Sequence, residues 1–142
     1  MKKISPRYAS ALLTAALFSI SALQAETIDI YPAEKDMTRE IQAAIHLSRE
    51  KKHASVTIQL RQGDYHISRS HASHQLYYIS NTTSSSENPH PVKHIGLWLK
   101  GLRNVIIDGG GARLITHGEM TTFVIDSCEN IVLRNFTLVA AD

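Results

Sequence analysis

NVIIDGGGARLI, residues 104–115, sets a β-branched run directly against three consecutive glycines. Two readings compete for it. A dinucleotide-binding loop needs G-x-G-x-x-G between a strand and a helix, so that the helix N-terminus meets a pyrophosphate. Here Gly109, Gly110 and Gly111 lead into ARLITHG, another short β-rich run, and no Lys-Ser/Thr pair of a Walker loop accompanies them. The glycines are expected to turn the chain between short strands, which points away from nucleotide binding and toward an all-β architecture.

The flanking sequence supports that reading. From His94 onward no segment has helical periodicity. Short apolar runs recur instead (IGLWL, NVIID, ARLI, TTFVID, NIVLRNFTLV), closed by Gly, Asn or charged residues. A doubly wound α/β sheet needs crossovers of about a dozen residues between parallel strands, and no room exists for them. GLRNVIIDG (101–109) also aligns with SCENIVLRN (127–135) at a 26-residue offset, matching Asn104 to Asn130, Val105 to Ile131 and Ile107 to Leu133. This predicts an all-β solenoid of parallel coils, each stacked about 4.8 Å above the last. Val, Ile and Leu would face inward, with Gly and Asn at the corners. A small sandwich or barrel is the alternative.

Upstream, AEKDMTREIQAAIHLSREKK (33–52) reads as one amphipathic helix. Asp36 is its expected N-cap, Met37, Ile41, Ala44, Ile45 and Ser48 form its inward face, and Lys51 and Lys52 suit its C-terminal dipole. The face is narrow, so the helix is expected to cover something larger. SVTIQLRQGDYHIS then gives a strand with Val56, Ile58 and Leu60 inward, a turn at Gly63, and a second strand through Tyr65 and Ile67. The polar run SRSHASHQ, the apolar LYYI and the loop-like NTTSSSENPHP follow.

The N-terminus reads as an address label. Lys2, Lys3 and Arg7 precede the apolar stretch 11–20, and small residues surround Ala22 and Ala25. Residues 1–25 are predicted to be a secretory signal peptide, leaving 26–142 as an exported domain bound for the periplasm or the medium. The apolar core is shorter than the roughly 20 residues of a membrane span. Removing the label leaves 12 Lys/Arg against 13 Asp/Glu, a formal charge of −1 rather than +2. No basic stripe for nucleic acid and no polybasic membrane patch remains. The single cysteine, Cys128, forms no internal disulfide and reads as a small buried hydrophobe.

Residues that could carry chemistry are scattered. His71 and His74, and His90 and His94, are close in sequence, but no Cys cluster or His-Glu-x-x-His pattern accompanies them. Asp108 and Asp126 each follow an apolar run and could emerge at strand ends, as glycoside hydrolysis would require of a carboxylate pair. Asp108 precedes a glycine and reads first as a turn former. His117-Gly118-Glu119 is a polar loop able to meet a ligand. Asn81-Thr82-Thr83 and Asn135-Phe136-Thr137 match the glycosylation sequon, the second expected within a strand.

Taken in order, YYISN (77–81), the NP-x-P-V loop (88–92), NVIIDGGGA (104–112), HG-x-M (117–120) and CENIVLRNF (128–136) resemble the N-terminal region of bacterial exo-α-1,3-galactosidases. These glycoside hydrolases remove terminal galactose from blood-group-B-type glycans. The resemblance covers about residues 28–142 and implies the N-terminal coils of a right-handed parallel β-helix of the pectin-lyase type, with a capping amphipathic helix. It also implies a galactose-terminated carbohydrate as partner and an inverting mechanism using acidic residues on later coils. No catalytic, cofactor-binding or metal-ligating residue is therefore assigned within this chain, and no cofactor is expected. Tyr78, Asn81 and His117 match family positions without an assigned sugar contact. NFTLVAAD closes just after a strand with no polar capping rung, so the chain is expected to be a fragment with apolar side chains and strand edges exposed. Other β-helix polysaccharide-active enzymes (polygalacturonase or lyase type) and a non-catalytic carbohydrate-binding or vestigial β-helix protein are the alternatives.

Overall fold

The computed structural model describes residues 24–51, 54–78, 86 and 91–141. The predicted signal peptide lies outside them except for its last two residues, as do His90, the Asn81 sequon and most of the NP-x-P-V loop. Among the described residues the chain runs β1 (Ala25–Ile30), α1 (Thr38–Glu50), β2 (Ser55–Leu60), β3 (Asp64–Ser68), a 3-10 turn (Arg69–His71), β4 (Ser73–Leu76), β5 (Val92–Lys100), β6 (Arg103–His117), β7 (Thr121–Asp126) and β8 (Glu129–Ala141). The architecture is mostly β, in parallel sheets with one α-helix.

One sheet has the order β1-β2-β6-β3, with β8 on β6, and the other has β4-β5-β7. Every strand pair is parallel except β4–β5. β6 organises the larger sheet. Its first half pairs with β2, Val56 opposite Val105 through Gln59 opposite Asp108. Its second half pairs with β3, Asp64 opposite Arg113 through Ser68 opposite His117. β8 follows β6 along both halves.

The glycine stretch departs from expectation in one respect. NVIID and ARLI are not separate strands: β6 continues for 15 residues through Gly109–Gly111, and β8 is 13 residues long. The same neighbour pairs on both sides of the bend, so the strand is bent rather than ended. Gly110 (φ 54°) and Gly111 (φ 87°) supply the left-handed backbone that the bend needs.

The 26-residue repeat is the register of the structure. β7 lies on β5 with Leu97 opposite Phe123 and Leu99 opposite Ile125. β8 lies on β6 with Val105 opposite Ile131 and Ile107 opposite Leu133. Beyond the bend the offset falls to 24, with Ala112 opposite Phe136.

The inward residues are those the alternation predicts. Val56, Ile58, Leu60, Tyr65 and Ile67 are fully buried, as are Leu97, Leu99, Val105, Ile107 and Leu114 across from them. Each such aliphatic side chain contributes about 1.5–3 kcal/mol by leaving water. Tyr65 buries its ring but keeps its hydroxyl satisfied, donating to the carbonyls of Ile30 and Arg61 at 2.8 Å.

The helix is shorter than the 33–52 span the sequence suggests. Met37 is the N-cap residue, and Asp36 stands one position ahead, its Oδ1 accepting the Thr38 N–H at 3.1 Å. A parallel bridge from Asp36 to His66 and the bond from Met37 N–H to the His66 carbonyl hold this segment extended, so the helix begins only afterwards. At the other end Lys51 forms an ion pair with Glu26, and Lys52 lies outside the described residues. The inward face is as expected, with Met37, Ile41, Ala44, Ile45 and Ser48 buried. Gln42 fastens the helix to β5: its Oε1 accepts the Trp98 N–H at 2.8 Å and its Nε2 donates to the Trp98 carbonyl at 2.9 Å.

Candidate functional site

Asp108 sits inside β6 at the bend and not at a strand end. It is only 8% exposed. Its Oδ1 accepts from the Gly110 N–H at 2.9 Å and from Asn135 Nδ2 at 3.1 Å, and its Oδ2 from Arg134 Nε at 2.8 Å. The Gly110 bond, followed by those from Asn135 and Arg134, holds its carboxyl below the usual aspartate range despite burial. This is the turn-forming role that its sequence position suggests. Asn135 of the second sequon lies in β8, as expected, and is engaged by Asp108.

Asp126 does end a strand, closing β7. Tyr77 Oη donates to its Oδ2 at 2.6 Å, Trp98 Nε1 donates to Tyr77 Oη at 2.8 Å, and Ser127 Oγ donates to Oδ1 at 2.8 Å. Tyr77 and Ser127, with smaller help from Lys100, keep Asp126 ionised below its ordinary range. A general acid for glycoside cleavage needs a carboxyl whose pKa is raised. Both aspartates are shifted the other way, so neither is arranged to donate a proton near neutrality. Cys128 is partly buried, with the Leu102 N–H directed at its sulfur at 3.4 Å.

The most chemically concentrated surface is a belt of histidines beside the 3-10 turn. Five of the chain's eight histidines gather there: His66, His71, His74, His94 and His117. His66 Nδ1 and His117 Nε2 meet at 2.7 Å. His71 Nδ1 lies 2.9 Å from Asp36 Oδ1. His74 and His94 pack edge to face with ring centroids 4.2 Å apart, and Arg69 stands 3.4 Å from both His94 ring nitrogens. Burial first, then the charges of Arg69 and His74, push His94 below its ordinary value.

Two grooves flank the His117-Gly118-Glu119 segment. One, about 470 Å³, is lined by Glu34, Lys35, Asp36, His66, Ser68 and His117. The other, about 310 Å³, includes Arg69, His94 and Glu119. Gly118 (φ 84°) lies against Arg69, whose Cβ would be 3.1 Å from any added Cβ. Asp36 is the charged anchor of the first groove. Burial alone would raise its pKa, but hydrogen bonding by Ser68, Thr38 and His71 brings it below the usual value. Its Oδ2 is buried without a hydrogen bond of ordinary geometry.

Sequence spacing suggested His71 with His74 and His90 with His94. The structure instead joins residues far apart in the chain, His66 with His117 and His74 with His94, because parallel and antiparallel registers place them side by side. His117 was legible as a polar loop residue, while His66 was hidden in an alternating strand. Of the other family-matching positions, Tyr78 is exposed and Asn81 lies outside the described residues. Among the described residues no helix is long and apolar enough to cross a membrane.

Comparison with known proteins finds relatives of this chain. The chain is 44% identical over 115 residues to alpha-1,3-galactosidase A of Bacteroides thetaiotaomicron, covering 81% of this chain and 20% of that protein. It is 38% identical over 96 residues to alpha-1,3-galactosidase A of Bacteroides fragilis, covering 68% and 16%. It is 35% identical over 88 residues to alpha-1,3-galactosidase B of Bacteroides thetaiotaomicron, covering 62% and 14%. No family model matches the chain. The chain spans about a fifth or less of the length of these relatives, and over that span it is related to the proteins named alpha-1,3-galactosidase A and B.

Proposed function

We propose that residues 26–142 form the N-terminal coils of a right-handed parallel β-helix belonging to an exported α-1,3-galactosidase-like glycoside hydrolase, with residues 1–25 removed as a signal peptide. Its substrate would be a glycan ending in α-1,3-linked galactose. The observation that carries this reading is the 44% identity over 115 residues to alpha-1,3-galactosidase A. The near-constant offset of β7–β8 on β5–β6 supports the coil arrangement. The matched segment makes up 20%, 16% and 14% of the three relatives, which accords with catalytic carboxylates on coils beyond those described here. In an inverting mechanism one carboxylic acid protonates the glycosidic oxygen while a second carboxylate activates water on the opposite face. Asp108 and Asp126 are given neither role: their lowered pKa values do not suit a general acid, and their oxygens are engaged by Gly110, Asn135 and Arg134 and by Tyr77 and Ser127. This segment supplies the covered start of the coil stack.

The test is to purify the protein from the exported fraction of its natural host, weigh it intact, and assay it on a terminal α-1,3-galactosyl oligosaccharide by NMR. Release of β-galactose by a species several times heavier than this chain supports the reading. No galactose release by that species would overturn the activity. Retention of residues 1–25 would overturn the export reading.

A further inference from the structure

We propose that His66 and His117 form a binding site for a borderline divalent transition-metal ion, Zn²⁺ or Cu²⁺, on the outer face of the β3–β6 pair. The inference does not depend on the galactosidase reading. Its basis is convergence: two imidazole nitrogens, contributed by different strands, approach to 2.7 Å. The rings are tilted by 36° with centroids 5.0 Å apart, so the nitrogens point at each other rather than the faces stacking. His66 stands opposite Ile115 and His117 opposite Ser68, so the two are diagonal neighbours on one face of a paired ladder that fixes their backbones, while both side chains remain partly open to solvent.

The metric requirement is modest. Zinc–imidazole bonds of about 2.0–2.1 Å at a tetrahedral angle separate two ligating nitrogens by roughly 3.3 Å, so the pair must open by about 0.6 Å. Side-chain rotation of two half-exposed rings accommodates that. Proton bookkeeping also closes. In the metal-free pair one contacting nitrogen carries the proton and the other accepts it. On binding, the donor imidazole moves its proton to its other ring nitrogen through solvent. Two lone pairs then face the ion.

The surroundings favour a dication. Glu34 and Asp36 line the same groove as the two imidazoles. Lys35, the one lysine there, is engaged by Glu40. Two imidazoles with oxygen donors suit Zn²⁺ or Cu²⁺ rather than the all-oxygen preference of Mg²⁺ and Ca²⁺. Among the described residues no group of three or more His, Cys, Asp or Glu side chains is placed to hold a metal ion, so the two imidazoles are the protein ligands of the site. The remaining coordination positions are therefore left to water or an incoming ligand. The His74–His94 pair provides an internal contrast, since the Arg69 guanidinium beside it repels a cation.

Zn²⁺ titrated into the purified protein by calorimetry, with competition against a chromogenic chelator, should show one ion per chain. Loss of a supporting outer-shell partner lowers metal affinity about 10–100-fold, so His66→Gln and His117→Gln should each cost at least tenfold. His94→Gln should bind as the parent does. The electron paramagnetic resonance spectrum of the Cu²⁺-loaded parent should carry hyperfine structure from two imidazole nitrogens, a readout that survives if a variant misfolds. Absence of saturable binding, parent-like binding in both His66→Gln and His117→Gln, equal loss in His94→Gln, or a spectrum without two imidazoles would overturn the site.

Discussion

Where β8 follows β6 through its first turn, Asn104 and Asn130 occupy equivalent positions 26 residues apart. Both adopt a left-handed backbone (φ 54° and 55°), and Asn130 Nδ2 donates to Asn104 Oδ1 at 2.9 Å. A few residues later the same two strands turn again with unequal lengths: four steps take β6 from Asp108 to Ala112, while two take β8 from Arg134 to Phe136. Like stacks on like at the first turn because the chains keep step. At the second they do not keep step, and the shorter chain cuts across the longer. A Cβ on Gly109 would stand 2.5 Å from the Asn135 carbonyl oxygen and closer still to Phe136 Cβ. The equal turn uses a short polar side chain that tolerates positive φ in both strands, whereas at the unequal turn only the shorter strand does so, with Asn135 (φ 60°), and the longer strand requires a residue with no side chain at position 109.

The largest effect should come from forcing the unequal turn. Gly109→Ala must displace β8 backbone and is expected to destabilise the fold by about 3 kcal/mol, read from urea unfolding. Gly111→Ala, with open space around it but φ of 87°, should cost only the backbone strain of about 1–2 kcal/mol. Equal losses at the two positions would mean that crowding at Gly109 costs no more than backbone strain at Gly111.

Asp108→Ala removes the acceptor shared by Gly110, Asn135 and Arg134, and is expected to cost about 2 kcal/mol. At the equal turn, Asn130→Ala should cost about 1 kcal/mol through left-handed strain, and Asn130→Gly should recover most of it. A glycine variant as unstable as the alanine one would assign the effect to the exposed amide ladder instead.

The smallest effect is the pH response of the second turn. Asp108 has its folded pKa depressed below the ordinary value of 3.8, so the folded state binds its proton less readily than the unfolded chain does. Its contribution is complete above about pH 4 and is lost as pH falls through the depressed folded value. Asp108→Asn should flatten that part of the fall in urea midpoint between pH 4 and 2. Asp36, Asp64 and Asp126, also depressed, should preserve the remainder.

Apolar periodicity made much of the fold legible in the sequence. The alternation of Val56, Ile58 and Leu60 marked their buried face, and the Asn104/Asn130 alignment anticipated the register of two strands. The glycines were read correctly as turning the chain, yet strand continuity through them was missed. Composition marks where a backbone bends, but not whether its neighbour bends with it. Asp36 looked like an N-cap because a carboxylate before an amphipathic run usually is one; a bridge to His66, 30 residues away, moved the helix start. The His66–His117 contact was illegible for the same reason, since its partners are 51 residues apart and meet only through strand register.

The hold of Gln42 on Trp98 bears on a hazard of parallel strands. Among the described residues β4 covers only the first part of one margin of β5, opposite Val92 to Ile95. Gln42 offers Trp98 both an acceptor and a donor, so a side-chain amide takes the place of a strand's peptide group there. Through that one amide, α1 occupies the Trp98 peptide group that an added strand would need to pair with. An isosteric Gln42→Met exchange would leave the helix face intact while freeing the Trp98 peptide, and fibril growth at this margin would then be held back by little more than the bulk of the helix.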